Sequence, residues 1–260
     1  DSYTPPFTGS EKLNPHWYQI DPQLINEIWA YTAPGMPAYA VGKSDWAARI
    51  TSDSWAAAPT ALYGAMYAEA FFENNLTKLI EKGLKYLPAD DRYAMGVREC
   101  IELHKQYPDD WVKARQIIAD EFYVNEDPMT KTIWNADLNG LMGILAMLYG
   151  NGDFTDTLDI AARCGQDADC NPATAGGVLG VMKGYSGIPA FWLDPLKEVE
   201  NLNFEGTDIS LASSYQMSYN QALKLIEKNG GRVGADKVMI PIEKASVLPL
   251  EQNFTNTYPL

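Results

Sequence analysis

The 260-residue sequence has little positive charge, few cysteines and no long uninterrupted apolar run. Only 20 lysines and arginines stand against 34 aspartates and glutamates, so the net charge is −14. Such a chain lacks the basic patches that nucleic acids and anionic membranes require. Three cysteines are too few for a disulfide framework, although a single bridge between Cys164 and Cys170 stays open. The most apolar stretch, 55–72, contains Pro59 and Glu69, and it predicts a buried helix rather than membrane insertion.

Helical patterns fill most of the chain, whereas the alternation typical of strands is nearly absent. Apolar residues make up 46% and charged residues 21%, an ordinary globular composition. Apolar spacing and capping residues predict one helix that begins at Pro22 and a series of further helices. These cover residues 44–50, 57–74, 76–87, 93–107, 110–122, 133–149, 154–164, 171–184 and 213–229. The sequence therefore predicts an all-α fold class.

Two segments between and after the helices have other patterns. Prolines and glycines from Pro34 to Gly42 predict an irregular loop. Residues 237–243 alternate like a strand, but Pro241 restricts them to an edge or a short ribbon.

Nothing in the composition divides the chain into separate units. We therefore expect a single compact domain over residues 1–260. The segment 1–22 is rich in proline and tyrosine and predicts a loop-like lead-in that lies over the helices. Gly230 and Gly231 end the last helix, and residues 232–260 follow as a C-terminal extension.

Three of the predicted helices carry a stripe of small residues along one side. Small residues at this spacing let helix axes approach closely, so we expect the three helices to pack together in the centre. The stripes are Ala57, Ala61, Ala65 and Ala68, then Ala136, Gly140 and Gly143, and then Gly176, Gly180 and Gly184.

One loop carries the residues that are best suited to chemistry. Asp167 and Asp169 follow Gly165 just before a helix that Asn171 and Pro172 are expected to begin. Two carboxylates this close in a loop can converge on a hard cation such as Mg²⁺, Mn²⁺ or Ca²⁺. The alternative is that one of them only caps the helix.

The residues around this loop form a longer pattern. Gly-Gln-Asp-Ala-Asp-Cys-Asn at 165–171 is followed by the glycine-striped helix, then by Ile188-Pro189 and Trp192. This order resembles the second metal-binding motif of the ADP-ribosylglycohydrolase family. Weaker similarity extends from about Asn26 to Gly231. The resemblance implies that family's compact orthogonal helical domain and a metal-dependent hydrolase of glycosidic bonds to ADP-ribose or a related nucleotide sugar.

The resemblance also implies a role for each residue of the site. Asp167 and Asp169 would be the catalytic carboxylates and would hold Mg²⁺ or Mn²⁺, with Cys170 at the third ligand position. In the family the metal site is dinuclear. The partner would be a nucleotide sugar or an ADP-ribosylated substrate. The residues expected to bind this substrate are Gly35, Ser52, Gly165, Gln166 and Asn171.

Three departures from the family pattern leave a second hypothesis open. The family's first acidic motif has no counterpart here, because Asp90-Asp91 and Asp109-Asp110 precede helices and are expected to be N-caps. Cys170 stands where the family has threonine, and Ser52 stands where it usually has histidine. We therefore expect a hydrolase that is incomplete without an upstream segment or a second chain. The alternative is a binding or structural protein that kept the scaffold and lost hydrolysis.

The sequence contains two histidines, His16 and His104. His16 and His104 have no nucleophile or carboxylate partner in the sequence pattern, and we expect structural roles for both. The C-terminal region resembles a longer bacterial branch of the family that often carries export signals. The resemblance thus implies a periplasmic or secreted location.

Overall fold

Polar side chains begin many of the helices, each through the same hydrogen bond. Asn75 Oδ1 accepts from the backbone N–H of Lys78 at 2.9 Å. Other caps accept in the same way from the backbone N–H three residues later, and these are Asp91, Asp110, Asn135, Asp153 and Ser210. Such bonds satisfy N–H groups that have no partner inside the helix. The expected capping roles of the two acidic pairs are confirmed at Asp91 and Asp110.

The computed structural model describes residues 3–124 and 126–250, and these residues are predominantly helical. The first helices are α1 (Asp21–Ile25), α2 (Glu27–Tyr31), α3 (Pro37–Ala48), α4 (Ala58–Glu69), α5 (Leu76–Gly83) and α6 (Arg92–Gln106). Then come α7 (Trp111–Ala119), α8 (Ala136–Tyr149), α9 (Phe154–Arg163), α10 (Cys170–Lys183), α11 (Ala190–Lys197) and α12 (Leu211–Lys228). A two-stranded antiparallel ribbon pairs β1 (Arg232–Val233) with β2 (Val238–Met239). The all-α class is confirmed, and the predicted ribbon stops before Pro241.

The single helix predicted to begin at Pro22 is divided into α1 and α2 at Asn26, and two further differences from the sequence prediction each involve a proline. α3 begins at Pro37, inside the segment that we predicted as irregular up to Gly42. Proline at the first helical position has a preset φ and needs no acceptor for an N–H, so it starts the helix there. α11 follows Pro189 and continues past Pro195, in a segment for which no helix was predicted.

Glycines on α8 determine how closely this helix approaches α4. A Cβ atom on Gly143 would lie 2.2 Å from Tyr63 Oη of α4. The same hydroxyl donates a hydrogen bond to the Gly140 carbonyl at 2.8 Å. Both glycines belong to the predicted stripe, and its role in helix packing is confirmed.

The glycine stripe predicted on α10 does not form the face of that helix that packs against α4, so this part of the prediction is wrong. Gly177, which lies outside the stripe, faces α4, and its Cβ would lie 3.2 Å from Tyr67 Cε1. Gly176 faces Leu158 on α9 instead, and Gly184 has no neighbour within 4 Å. Gly180, the middle residue of the stripe, has only Ile188 within 4 Å of its Cβ position.

Gly143→Ala is expected to lower the free energy of unfolding by about 2 kcal/mol, because the added methyl group would displace Tyr63 from the Gly140 carbonyl. Gly42→Ala is a matched control, since α3 leaves open space around its Cβ position. That substitution should raise the free energy of unfolding by about 0.5–1 kcal/mol through helix propensity. Urea unfolding measures both values, and equal destabilisation would contradict the packing described.

Both ends of the described chain lie on the helical body. Trp17 and Tyr18 of the lead-in are buried. In the C-terminal extension, Glu243 accepts from the first backbone N–H groups of α3 at 2.7 and 3.3 Å. The Leu250 carbonyl accepts from Arg49 Nη2 at 2.7 Å. Residues 251–260 of the predicted extension lie outside the described residues. None of the described helices is long and apolar enough to cross a bilayer.

Candidate metal centre

A left-handed turn carries the chain from α9 to the acidic loop. Gly165 has a φ of 76° and Gln166 a φ of 62°. Glycine adopts this conformation without strain, whereas glutamine does so only when its surroundings hold it there. The turn places Asp167 and Asp169 immediately before α10.

Asp167, Asp169 and Cys170 converge at the start of α10. One potential ligand atom from each of the three lies within 4.8 Å of the others. Asp169 stands at the N-cap of α10, yet its side chain makes no capping hydrogen bond. Asn171, expected to begin the helix as its cap, lies inside the first turn because α10 begins at Cys170. The three cysteines are free, so the bridge from Cys164 to Cys170 is absent.

The three side chains of this cluster differ in how readily they lose a proton. Burial raises the pKa of Asp167 above its ordinary value, and the nearby Asp169 adds to this effect. The hydrogen bond with Asp167 lowers the pKa of Asp169. Burial, with Asp167 next in importance, raises the pKa of the Cys170 thiol to about 12. Cys170 is therefore a thiol at neutral pH, and Asp169 is the carboxylate that carries negative charge most readily.

Asn139 of α8 holds the acidic loop in place. Its side chain is 1% exposed, and its Oδ1 accepts from the Asp167 backbone N–H at 2.9 Å and from Asn171 Nδ2 at 2.8 Å. Its Nδ2 donates to the carbonyls of Ile133 and Asn135. Sequence reasoning missed this residue. The available signal was a lone amide on a helix whose other residues are nearly all apolar.

A groove begins at Asp169 and separates α9 from α10. Its volume is about 450 Å³, within the range of small-molecule sites. Trp192 of α11 closes one side, and its Nε1 donates to Thr155 Oγ1 at 3.0 Å. The remaining lining is mostly apolar and comes from Leu158, Ala162, Pro172 and Ala173, with Asp159. A planar or apolar group next to a bound cation could occupy this groove.

Glu27 is a second carboxyl group that sequence reasoning missed. Burial raises the pKa of Glu27 to about 7. Tyr67 Oη lies 2.9 Å from Glu27 Oε1 and 3.0 Å from the Thr174 carbonyl of α10. Thr174 is about one helical turn beyond Cys170. The Tyr67 hydroxyl thus links a carboxyl group able to gain or lose a proton near neutral pH to the helix that follows the acidic cluster.

The residues predicted to bind substrate fall into two groups. Gly165, Gln166 and Asn171 adjoin the acidic cluster, and the Gln166 Oε1 atom is buried without a donor among the described residues. Gly35 instead lines a cavity formed with the C-terminal extension. Ser52 is 1% exposed, and its backbone packs against Gly9 of the lead-in. None of these five residues lines the groove beside Asp169.

The donor set suits a divalent cation that prefers oxygen. Asp167 and Asp169 provide two carboxylates. Such hard ligands, with water or substrate completing the coordination, suit Mg²⁺ and Mn²⁺. Cys170 is a soft donor and contributes least to binding these ions.

Comparisons with known proteins identify the family of this chain. A family model described as ADP-ribosylglycohydrolase matches residues 25–223. The curated ADP-ribosylarginine hydrolase Tri1 of Serratia proteamaculans (strain 568) is 39% identical over 56 residues, which cover 22% of this chain and 15% of that protein. No solved structure matches. Because the family match spans well over half of its length, the chain belongs to the ADP-ribosylglycohydrolase family.

Proposed function

We propose that this chain is a metal-dependent hydrolase of glycosidic bonds to ADP-ribose or a related nucleotide sugar, completed by an upstream segment or a second chain. Membership of the family supports a hydrolase of the ADP-ribosylglycohydrolase type. The convergence of Asp167, Asp169 and Cys170 within 4.8 Å is the observation that carries the metal dependence.

Different residues of the chain would bind the metal and the substrate at this site. Asp167 and Asp169 would hold Mg²⁺ or Mn²⁺, which when bound polarises oxygen ligands and lowers the pKa of water. The groove closed by Trp192 would hold the part of the substrate that lies beyond Asp169.

Proton transfer needs a group whose pKa is close to the working pH. Glu27 meets this condition because burial raises its pKa to about 7. Its hydrogen bond with Tyr67, whose hydroxyl also reaches the Thr174 carbonyl, connects the carboxyl group to α10. We assign Glu27 as the group that exchanges a proton with substrate or water.

Hydrolysis assays test this function. The related protein's name indicates ADP-ribosylarginine as the first substrate, assayed on this chain with Mg²⁺ or Mn²⁺. We expect cation-dependent release of ADP-ribose that falls at least about 100-fold in Asp167→Asn and Asp169→Asn. Asp156→Asn, an exposed carboxylate on α9, is the control and should keep full activity. Unchanged turnover in both loop variants would refute the proposal.

A binding protein without turnover is the second candidate. The observation that favours it is Cys170, whose thiol has a pKa of about 12 and is a poor ligand for Mg²⁺. This candidate predicts saturable ADP-ribose binding without any product. Cys170→Thr, which restores the family's residue, would then leave turnover at zero, whereas an impaired hydrolase should become faster.

A further inference from the structure

A second cavity lies at the end of α10 opposite to the acidic cluster. Its volume is about 410 Å³, large enough for a small metabolite. Leu148, Leu179 and Met182 contribute apolar groups. Polar side chains come from Asn74, Asn75, Thr77, His104, Asn151 and Lys183, and Leu76 and Gly152 complete the lining.

The charged groups around this cavity favour an anion. Lys183 makes no ion pair among the described residues, and no carboxylate lines the cavity. Two acidic side chains adjoin the lining in sequence, and both have partners. Glu73 accepts from the Asn75 backbone N–H at 3.0 Å and pairs with Lys82, and Asp153 caps α9. In a chain with a net charge of −14, a cavity whose titratable lining groups are one lysine and one histidine is unusual.

The uncharged groups supply further hydrogen-bond donors. Asn74 and Asn151 bring side-chain amides to the wall from two different loops. Leu76 and Thr77, the first two residues of α5, have backbone N–H groups that find no acceptor in the part of the chain that the structure describes. These donors can reach phosphate oxygens on one side and sugar hydroxyls on the other.

We propose that this cavity binds a small phosphate ester, with the phosphate at Lys183 and His104 and the polar remainder against the asparagine amides. Its volume exceeds what a phosphate ion alone needs, and its walls lack the aromatic faces that would select a stacked base. The site is separate from the acidic cluster and does not depend on the hydrolase proposal.

The NMR signals of the two histidines can report binding in this cavity. The chain has two, and only His104 lines the cavity, while His16 belongs to the lead-in. Burial lowers the pKa of His104, and its ring packs on Tyr149 with centroids 4.8 Å apart. A bound phosphate would favour the protonated imidazole. Proton NMR of the two Hε1 signals at pH 6.5 follows this change, with ribose 5-phosphate, inorganic phosphate and neutral ribose as probes and ionic strength matched with NaCl.

We expect ribose 5-phosphate to shift the His104 signal saturably. The His16 signal should stay where it is in NaCl of the same ionic strength. Lys183→Gln should weaken binding about tenfold or more, because a charge-assisted hydrogen bond is lost. Lys228→Gln, at the matching last position of α12, should bind as the native chain does. Equal affinity for inorganic phosphate would assign the site to the free ion. No selective shift of His104 with either phosphate, binding of ribose as tight as that of its phosphate, or equal weakening in both lysine variants would overturn the proposal.

Discussion

Asn139→Ala should be one of the most damaging single substitutions in this chain, with a loss of about 4 kcal/mol of unfolding free energy. The Asn139 side chain makes four hydrogen bonds, two as acceptor and two as donor. Each contributes about 1 kcal/mol, and the partners it leaves are buried or partly buried. Urea unfolding measures the loss.

The same substitution should also weaken cation binding. Asn139 is a positioning residue, because it orients the loop through the Asp167 backbone and through Asn171. Loss of such outer contacts typically lowers metal affinity about 10–100-fold. Asn220→Ala on α12, where the asparagine is exposed, is the control and should change stability by less than about 0.5 kcal/mol. If Asn139→Ala binds Mn²⁺ with native affinity at a temperature where it is folded, the positioning role is wrong.

Asp137→Asn should stabilise the chain at neutral pH, by up to about 3 kcal/mol. Both carboxylate oxygens of Asp137 are buried without a hydrogen-bond partner among the described residues. Burial raises the pKa of Asp137 well above its ordinary value, with Asp91 and Glu126 adding to this rise and Arg92 opposing it. The folded chain consequently retains a proton that the unfolded chain releases.

This difference determines how the stabilisation depends on pH. Below about pH 4, Asp137 is protonated in both states, and the substitution should be close to neutral. As the pH rises above that value, the unfolded state binds fewer protons than the folded state, so the native chain loses stability relative to Asp137→Asn. Denaturant unfolding at pH 4 and pH 7 measures the change. Asp156→Asn, in the first turn of α9, should instead be slightly destabilising at pH 7. A stability difference for Asp137→Asn that is the same at both pH values would contradict this account.

Local chemistry explains the parts of the fold that sequence reasoning predicted. Asp91 and Asp110 begin helices because a side-chain oxygen reaches the N–H three residues later, an interaction that depends on sequence spacing alone. The acidic loop was predicted for the same reason, since Asp167 and Asp169 are neighbours in sequence. α3 was misplaced because the proline at 37 was interpreted as a helix breaker when it is a helix starter.

Tertiary contacts explain what could not be predicted. Asn139 lies 28 residues before Asp167, whose backbone it holds, and Glu27 lies 40 residues before its hydrogen-bond partner Tyr67. Nothing in the sequence next to either residue predicts these partners. Gly177 rather than the regular glycine stripe meets Tyr67, because the rotation of α10 is decided by the helices around it. Asp137 follows the cap of α8 and resembles an ordinary first-turn carboxylate until its burial is known.

The central claim is that Asp167 and Asp169 together form a working cation site. Calorimetric titration of Mn²⁺ and Mg²⁺ into the native chain, Asp169→Asn and Asp156→Asn tests it most directly, with circular dichroism to show that each protein is folded. The account predicts saturable binding in the native chain and in Asp156→Asn, and none in Asp169→Asn. Equal Mn²⁺ affinity in the native chain and in Asp169→Asn would contradict it.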